Sequence, residues 1–227
     1  MIDILTRLLP GLWLSLTLTL ASVVVGIPLG FLAGMALTNS RRWLRWTVIV
    51  PMEVLRGFPA LVTLYLVYVG LAQVITLDAF TAVTVAFAAT SAAYTAEIFR
   101  AAIQSVPRGQ LEAARALAIP RTAQIRQIVA PHVIAISAPP VLGIVLIVFQ
   151  GTALAYAVGA KELLGTAMSQ GLLTYAPMPD LLAASVLYLL VSIGLTGLEN
   201  WAARRAKRRT AAGGRRPKLA RTAQAAL

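Results

Sequence analysis

Five long stretches of this chain carry no charged residue, and that feature restricts the possible folds more than any other. The stretches are 8–40, 57–77, 79–96, 133–160 and 181–198. A helix needs about 20 mainly apolar residues to cross roughly 30 Å of hydrocarbon. The pattern therefore predicts an all-α polytopic membrane protein with five transmembrane helices. We place these helices at about 10–38, 52–76, 79–103, 132–158 and 180–201.

Composition agrees with burial in lipid rather than in a soluble core. Hydrophobic residues make up 59% of the chain and charged residues 12%, whereas soluble domains carry about 25% charged residues. The net charge of +12 would suit a nucleic-acid-binding protein, but such a protein needs its basic residues on a folded, soluble face. Here they lie in short segments between the apolar stretches. We therefore expect membrane lipid, and no nucleic acid, as a partner.

The positions of the basic segments predict the orientation of the chain. Three arginines follow the first predicted helix within 41–45, five follow the third within 100–126, and nine basic residues follow the fifth within 204–221. Arg7 and Lys161 lie on the other side. Because basic loops stay in the cytoplasm, we predict an outer N-terminus and a cytoplasmic C-terminus in a bacterial inner membrane.

Two segments outside the predicted helices differ in composition from the rest. Residues 163–179 are uncharged but interrupted by Gly and Pro, and we expect an external loop with a short amphipathic or re-entrant piece. Residues 210–227 are rich in Gly, Arg, Ala and Pro and lack an apolar period. We expect them to form a basic, disordered cytoplasmic tail after a transmembrane domain of residues 1–209.

Three glycines in the first predicted helix share one helix face, because Gly26, Gly30 and Gly34 are four residues apart. Glycine on one face lets a second helix approach closely, since no side chain stands between the backbones. The neighbour is either another helix of the same chain or a helix of a second subunit.

The interval of about 104–131, between the third and fourth predicted helices, is patterned like a structured element. Residues 111–117 are almost all good helix formers. Pro120 ends that helix, because the residue before a proline is pushed out of the α region. Residues 121–129 predict a second short helix before Pro131. Two short helices with a basic, exposed face indicate a cytoplasmic element that another protein binds.

Several motifs of this chain resemble those of one transporter family. ABC-importer permeases carry an EAA loop, which resembles the run Gly109-Gln110-Leu111-Glu112-Ala113-Ala114 followed by Ile128 and Pro131. The polar amino acid group of these permeases, with His/Gln/Arg-type uptake, is similar to this chain at 53–59 and 91–107. The resemblance covers about Gly11 to Asn200, with the motifs in a fixed order.

This resemblance implies a transport subunit rather than an enzyme. It implies a homodimer or a pairing with a paralogous second permease subunit, docked on two ATP-binding subunits, with an extracytoplasmic solute-binding protein that delivers a small polar solute such as an amino acid. ATP and Mg would be held by the partner ATPase, with no cofactor on this chain, which has no G-x-x-x-x-G-K-[ST] phosphate loop. The residues that correspond to the ATPase-coupling element are Gly109, Glu112, Ala113, Ala114, Arg115, Ala118, Pro120 and Arg121.

The chain departs from the family pattern at two places that bear on function. Ala118 stands where the family usually has glycine, in the left-handed turn that ends the first short helix. Alanine costs about 1 kcal/mol there unless Pro120 acts as the helix breaker instead. Residues 150–154 read Gln-Gly-Thr-Ala-Leu where the family has Lys-Asp-Thr-Ser-Leu, so two charges are missing from the fourth predicted helix.

Polar residues in or beside the predicted helices are candidates for the solute path or its gate. Glu53 and Arg56 stand three residues apart, as do Glu97 and Arg100, so each pair lies on one helix face. Each pair is either a border ion pair that holds a helix end or part of a gate near the inner mouth. The remaining candidates, which either hydrogen-bond between helices or line the path, are Ser91, Tyr94, Gln150 and Thr152.

The sequence predicts neither a catalytic nor a metal site. It contains one histidine, no cysteine and eight carboxylates, without a Ser/His/Asp grouping or a metal-ligand spacing. The alternative function is a passive channel or secondary carrier that works without an ATPase. That alternative gives no reason for a structured basic loop at 104–131.

Overall fold

The protein is helical throughout the part that its computed structural model describes, which is residues 2–213 of 227. No strand occurs in this range, so the predicted all-α class is confirmed. The helices are α1 (Ile2–Leu37), α2 (Arg42–Gly57), α3 (Ala60–Tyr65), α4 (Ala79–Gln104), α5 (Arg108–Ala116), α6 (Arg121–Gln124), α7 (Ala130–Gly151), α8 (Leu163–Leu173) and α9 (Pro177–Gly213). π-helical turns at Leu66–Gly70 and Ile125–Val129 and 3-10 turns at Leu71–Gln73 and Thr152–Val158 extend α3, α6 and α7.

Four helical segments are long and apolar enough to cross a bilayer, and a bent pair makes a fifth if it counts as one span. The four are Asp3–Leu37, Ala79–Gln104, Arg121–Val158 and Pro177–Arg208. The third of them joins α6 and α7 into one continuous helix, so Pro131 lies in the first turn of α7 and does not separate two helices. These segments confirm a polytopic membrane protein.

The second predicted span, 52–76, is not one straight helix. Residues Arg42–Gly57 and Ala60–Gly70 meet at an angle of 110°. Phe58 is extended, with φ −89° and ψ 138°, because it precedes Pro59 and is therefore excluded from the α region. The predicted span thus divides into the last turns of α2 and a short helix that starts at Ala60.

The three spaced glycines of α1 pack against α4 of the same chain. A Cβ atom at Gly26 would collide with the Ser91 hydroxyl, and one at Gly30 would collide with the Thr95 hydroxyl. A Cβ atom at Gly34 would lie 2.8 Å from the carbonyl oxygen of Ala96. Of the two neighbours left open by the sequence, the structure therefore has the intramolecular one, and the backbones of α1 and α4 approach closely.

A second packing unit joins α8 to α1 and α9. The expected loop at 163–179 contains the 11-residue helix α8, which lies against α1 at Gly11, where an added Cβ atom would come within 2.8 Å of the carbonyl oxygen of Glu162. Leu8, Leu163 and Ala184 are buried together at this contact. The outward face of α9 is different, because Leu190 is 60% exposed in the isolated chain, as a lipid-facing or subunit-facing helix requires.

The predicted boundary of the tail falls within α9. That helix continues to Gly213, and the rest of the predicted basic tail, residues 214–227, lies outside the described residues. The expected disorder of the tail therefore stays a prediction.

We expect Gly30→Val to lower the stability of the protein by about 1–3 kcal/mol, because the added atoms overlap Thr95 and force α1 away from α4. Thermal unfolding of the purified protein in detergent measures this effect. The control is Gly194→Val, because a Cβ atom at Gly194 on α9 meets nothing within 4 Å. Equal losses in the two variants would contradict the close approach of α1 and α4.

Candidate functional site

The predicted coupling element is the helix α5 with the turn that follows it. Its helix formers give the nine-residue helix Arg108–Ala116, and Pro107 precedes it in an extended conformation. After α5 the chain reverses: the N–H of Ile119 donates to the carbonyl oxygen of Ala114 (3.0 Å), and the N–H of Ala118 donates to that of Arg115 (2.9 Å). This pair of bonds is the Schellman ending of a helix, which requires a left-handed residue just past the helix end.

Ala118 is that left-handed residue, with φ 51°. The turn that the family usually builds with glycine therefore forms here with alanine, and Pro120 has not replaced it as the helix breaker. A side-chain bond compensates in part, because the amide Nε2 of Gln124 donates to the carbonyl oxygen of Ile119 at 2.7 Å. The turn between α5 and α6 is closed by this bond as well as by the backbone.

The base of α5 contacts the two long helices beside it. Phe99 and Ala102 of α4 and Val106 just after it are buried against Val133 of α7, with Leu111 of α5 packed on the same cluster. The Ser105 hydroxyl also lies 3.1 Å from Nε2 of His132, which links the end of α4 to the start of α7. Leu111 is therefore the contact of α5 with the ends of both long helices.

The outer face of α5 is free of contacts within the described chain. Glu112, Ala113 and Arg115 are exposed, and Leu117 is 74% exposed. Ala114 differs from its neighbours because it is buried against the chain's own core, with 3% exposure. The remaining coupling candidates, all exposed, are Gly109 in the first turn of α5, Ala118, Pro120 before α6 and Arg121 at its start.

Four of the predicted path residues come together where α2 ends beside α4. Nε of Arg100 donates to Oε2 of Glu97 at 2.8 Å. On α2, Arg56 and Glu53 form a looser ion pair at 3.7 Å, and the Arg56 guanidinium lies 5.6 Å from the centre of the Tyr94 ring. A cavity of about 340 Å³ separates the two helices here. Its lining comprises Leu37, Arg45, Ile49, Met52, Glu53, Arg56, Glu97 and Arg100.

This cavity carries charges of both signs at the end of a membrane span. It adds Arg45, which the sequence did not single out as a path residue, to the two predicted pairs. The three guanidinium groups can hold a carboxylate, and the two carboxylates can hold an ammonium group. The arrangement is suited to a solute that carries both charges.

The other three path candidates lie apart from this cavity. Ser91 is 1% exposed and faces Gly26, so it serves the contact between α1 and α4. The buried Thr152 hydroxyl donates to the carbonyl oxygen of Phe149 at 2.7 Å. Nε2 of Gln150 donates to the hydroxyl of Ser192 on α9 at 3.4 Å. The bonds seen for Ser91, Gln150 and Thr152 are local or between helices.

A buried carboxylate that the sequence reasoning missed lies at the other end of the molecule. Glu162 has no exposed surface, and it caps α8 by accepting from the N–H groups of Leu164 (2.8 Å) and Gly165 (2.7 Å). The hydroxyl of Tyr188 donates to its Oε2 at 2.8 Å, and that of Ser15 lies 3.4 Å away. The carboxylate thus joins α1, α8 and α9 at one point.

Burial raises the pKa of the Glu162 carboxyl above its ordinary value of 4.5, although the N–H groups of Gly165 and Leu164 act in the opposite direction. A sequence signal existed only for the cap, since Glu162 directly precedes an apolar run. Its partners Ser15 and Tyr188 lie 147 and 26 residues away, so the sequence carries no signal for the whole network.

The spans define an integral membrane protein. Residues 26–208 match the family described as "Binding-protein-dependent transport system inner membrane component". The chain belongs to this family. It is an inner-membrane permease subunit of an ABC importer, which is not itself an enzyme.

Individual relatives agree with this assignment over most of the chain. The histidine/lysine/arginine/ornithine transport system permease protein HisM of Salmonella typhimurium is 32% identical over 206 residues, which covers 86% of this chain and 88% of HisM. The arginine transport system permease protein ArtQ of Bacillus subtilis is 29% identical over 191 residues, with 83% and 87% covered.

A solved structure, that of an amino acid ABC transporter with histidines, superposes with a TM-score of 0.82 at 30% identity, covering 90% of this chain and 96% of that one. A chain in the structure of the MetNI methionine ABC transporter in an inward-facing conformation has a similar fold, with a TM-score of 0.71 at 20% identity, covering 88% of this chain and 96% of that one. The membrane-subunit fold is therefore shared beyond clear sequence similarity.

We expect the pH dependence of stability to show the buried Glu162. Because its pKa is raised in the folded protein, its contribution to stability is complete below about pH 4.5 and is lost as the pH rises through the folded value. The thermal midpoint of the unmodified protein should therefore fall relative to that of Glu162→Gln between about pH 4.5 and neutrality.

Asp78→Asn is the matched control for this measurement. Hydrogen bonds, first that from the Thr81 hydroxyl, lower the pKa of Asp78 from 3.8, so its contribution is lost only on acidification below that value. Between about pH 4.5 and neutrality, the thermal midpoint of Asp78→Asn should therefore change with pH in the same way as that of the unmodified protein. Parallel curves for Glu162→Gln as well would mean that Glu162 does not titrate as a buried group.

Proposed function

We propose that this chain forms one half of the translocation path for a polar amino acid or a similar zwitterionic solute. The observation that carries the proposal is the exposed outer face of α5, a helix whose Leu111 packs on the cluster between α4 and α7. A helix that contacts two long helices on one side and is open on the other is suited to receive force from another protein.

The partner that fits this surface is a separate ATP-binding subunit, which would hold ATP and Mg. Glu112 and Arg115 offer charges of both signs, and Leu117 offers an apolar contact that is 74% exposed. Closure of the ATPase would move α5 together with the ends of α4 and α7, and the spans would switch between outward-open and inward-open states. Glu112–Arg121 is then the coupling segment.

The remaining partners follow from the same arrangement. A second permease subunit, identical or paralogous, would complete the path, and an extracytoplasmic solute-binding protein would deliver the solute. With the N-terminus outside, α5 and the cavity between α2 and α4 both lie on the cytoplasmic side, which agrees with the basic residues in 41–45 and 100–126. Membrane lipid covers the apolar face of α9.

The solute class is inferred from the charged cavity and from the relatives. Arg45, Arg56 and Arg100 with Glu53 and Glu97 offer partners for both ends of an amino acid near the inner mouth. Two relatives are named for the transport of arginine and of histidine, lysine, arginine and ornithine. Tyr94 holds Arg56 at this mouth through its ring.

Ala113→Arg tests the docking of α5. Ala113 is exposed, so the variant should fold, but a long charged side chain should clash in the groove of the ATPase. We expect solute uptake to fall at least about tenfold, which corresponds to about 1.4 kcal/mol of lost coupling. Uptake and ATP hydrolysis are measured in proteoliposomes that contain the whole transporter.

Ala176→Arg is the control, because it makes the same change at an exposed position between α8 and α9, on the predicted outer side. Ala114→Arg is unsuitable as a test, since Ala114 is buried and the variant would disturb folding. Normal uptake by Ala113→Arg in an intact complex would disprove the docking role.

Glu97→Gln tests the inner mouth. The amide keeps the size of the side chain but leaves the Arg100 guanidinium without its charged partner. We expect reduced uptake with unchanged assembly, as judged by co-purification of the ATPase. Undiminished uptake would remove Glu97 from the path.

The double variant Glu97→Gln with Arg100→Gln separates the two possible roles of the pair. A pair that only holds the helix ends should recover when both charges are removed, because no unpaired charge remains. Residues that contact a zwitterionic solute should stay impaired. We expect the double variant to remain as slow as the single one.

A further inference from the structure

The helix α2 has the properties of a helix that lies in the membrane surface. It carries Arg42, Arg45, Glu53 and Arg56 towards its two ends, which makes a passage of this helix through hydrocarbon costly. It also turns by 110° into the next helix, so it cannot continue the direction of α3 through the bilayer. Amphipathic helices of this kind lie at the boundary between headgroups and acyl chains.

One face of α2 is apolar and uncovered. Trp43, Trp46, Val50 and Val54 follow each other at spacings of three and four residues, so they form one stripe along the helix. Trp43 and Trp46 are each 63% exposed, Val50 53% and Val54 48%. This stripe faces away from α4, since Met52 on another side of α2 is the residue buried against the chain. The stripe is positioned to enter the acyl region.

The edge of that stripe carries two guanidinium groups that are not paired with a carboxylate among the described residues. Arg42 and Arg45 line a cavity of about 320 Å³ together with Trp46 and Ile49. Neither guanidinium has a carboxylate within ion-pairing distance among the described residues, and the sequence has no acidic residue between Asp3 and Glu53. The surface therefore complements an anion and not a cation.

We propose that Arg42, Arg45 and Trp46 bind the phosphate headgroup of an anionic phospholipid. A guanidinium group forms paired hydrogen bonds to phosphate oxygens, and a tryptophan ring is stable at headgroup depth. This proposal rests on the proposed function in one respect only, which is that α2 lies at the cytoplasmic leaflet. The apolar stripe supplies the reason for a lipid rather than free phosphate, because it holds the acyl chains below the same cavity.

A second basic and aromatic cluster lies on the same predicted side. Trp201, Arg204, Arg205 and Arg208 of α9 line a cavity of about 440 Å³, with the Arg205 guanidinium 5.2 Å from the centre of the indole ring. Two tryptophan and arginine clusters on the same predicted side of the membrane agree with one headgroup layer that contacts both.

The lipid site has a consequence for transport. Arg45 and Ile49 line both the lipid cavity and the charged cavity that contains Glu53 and Glu97. A bound headgroup would hold Arg45 toward the lipid and fix α2 against the inner mouth. Anionic lipid is therefore expected to change the rate of uptake as well as to bind.

The test measures lipid retention by the purified whole transporter, with its ATPase, by native mass spectrometry. The probes are phosphatidylglycerol and phosphatidylcholine of equal chain length. We expect retention of phosphatidylglycerol over phosphatidylcholine, and at least about tenfold weaker retention in the variant Arg42→Gln with Arg45→Gln.

The control variant is Arg7→Gln with Lys161→Gln, which removes the same charge at two exposed positions on the predicted outer side. It should change retention by less than about twofold. The variant Arg42→Lys with Arg45→Lys keeps both positive charges but loses the planar guanidinium groups. Its lipid retention should lie between that of the control variant and that of Arg42→Gln with Arg45→Gln. Thermal midpoints that match those of the unmodified protein show that the variants are folded.

Equal retention of the two lipids, or equal losses in the two glutamine variants, would overturn the proposal. Displacement of phosphatidylglycerol by excess inorganic phosphate would also overturn it, because the site would then bind the free anion. Uptake by the whole transporter in proteoliposomes separates this proposal from the proposed function. Lipid preference without ATP-driven uptake would contradict only the importer mechanism. ATP-driven uptake without lipid preference would contradict only the lipid site.

Discussion

The close contact between the backbones of α1 and α4 is the interaction on which the rest of the structure depends. Glycines at 26, 30 and 34 remove the side chains that would otherwise separate the two helices, and the Ser91 and Thr95 hydroxyls fill the remaining space. In lipid, where apolar burial gives little net attraction between helices, such close packing is a main source of stability. The contact fixes α4, and α4 carries both functional regions of the chain.

The two functional regions are neighbours because they share one helix end. Glu97 and Arg100 line the charged cavity, and Phe99 and Ala102 on adjacent faces of α4 anchor the coupling helix. The end of α4 therefore lies between α5 and the residues proposed to contact the solute. In the proposed mechanism, a displacement of α5 would reach the inner mouth through this packing.

The sequence predicts those features that depend on the solvent or on local backbone chemistry. Long uncharged stretches identify the spans, helix formers identify α5, and the position of Ala118 identifies the left-handed turn. The orientation and the exact limits of the spans remain predictions. Phe58 and Pro59 explain why the chain bends between α2 and α3. The sequence does not predict the size of that bend, because it depends on packing.

It also does not predict which polar residues meet. Ser91 was expected near the solute path, but its position opposite Gly26 depends on a helix far away in sequence. Glu162 joins Ser15 and Tyr188, which lie far from it in sequence. With α2 in the membrane surface, moreover, the helical stretch from Ala60 to Gln73 spans only about 21 Å at 1.5 Å per residue, and the non-helical residues 74–78 must cover the rest of the roughly 30 Å bilayer core. Backbone of that kind is stable at membrane depth only beside protein or water, so this side of the chain requires a thinner bilayer or a neighbouring protein.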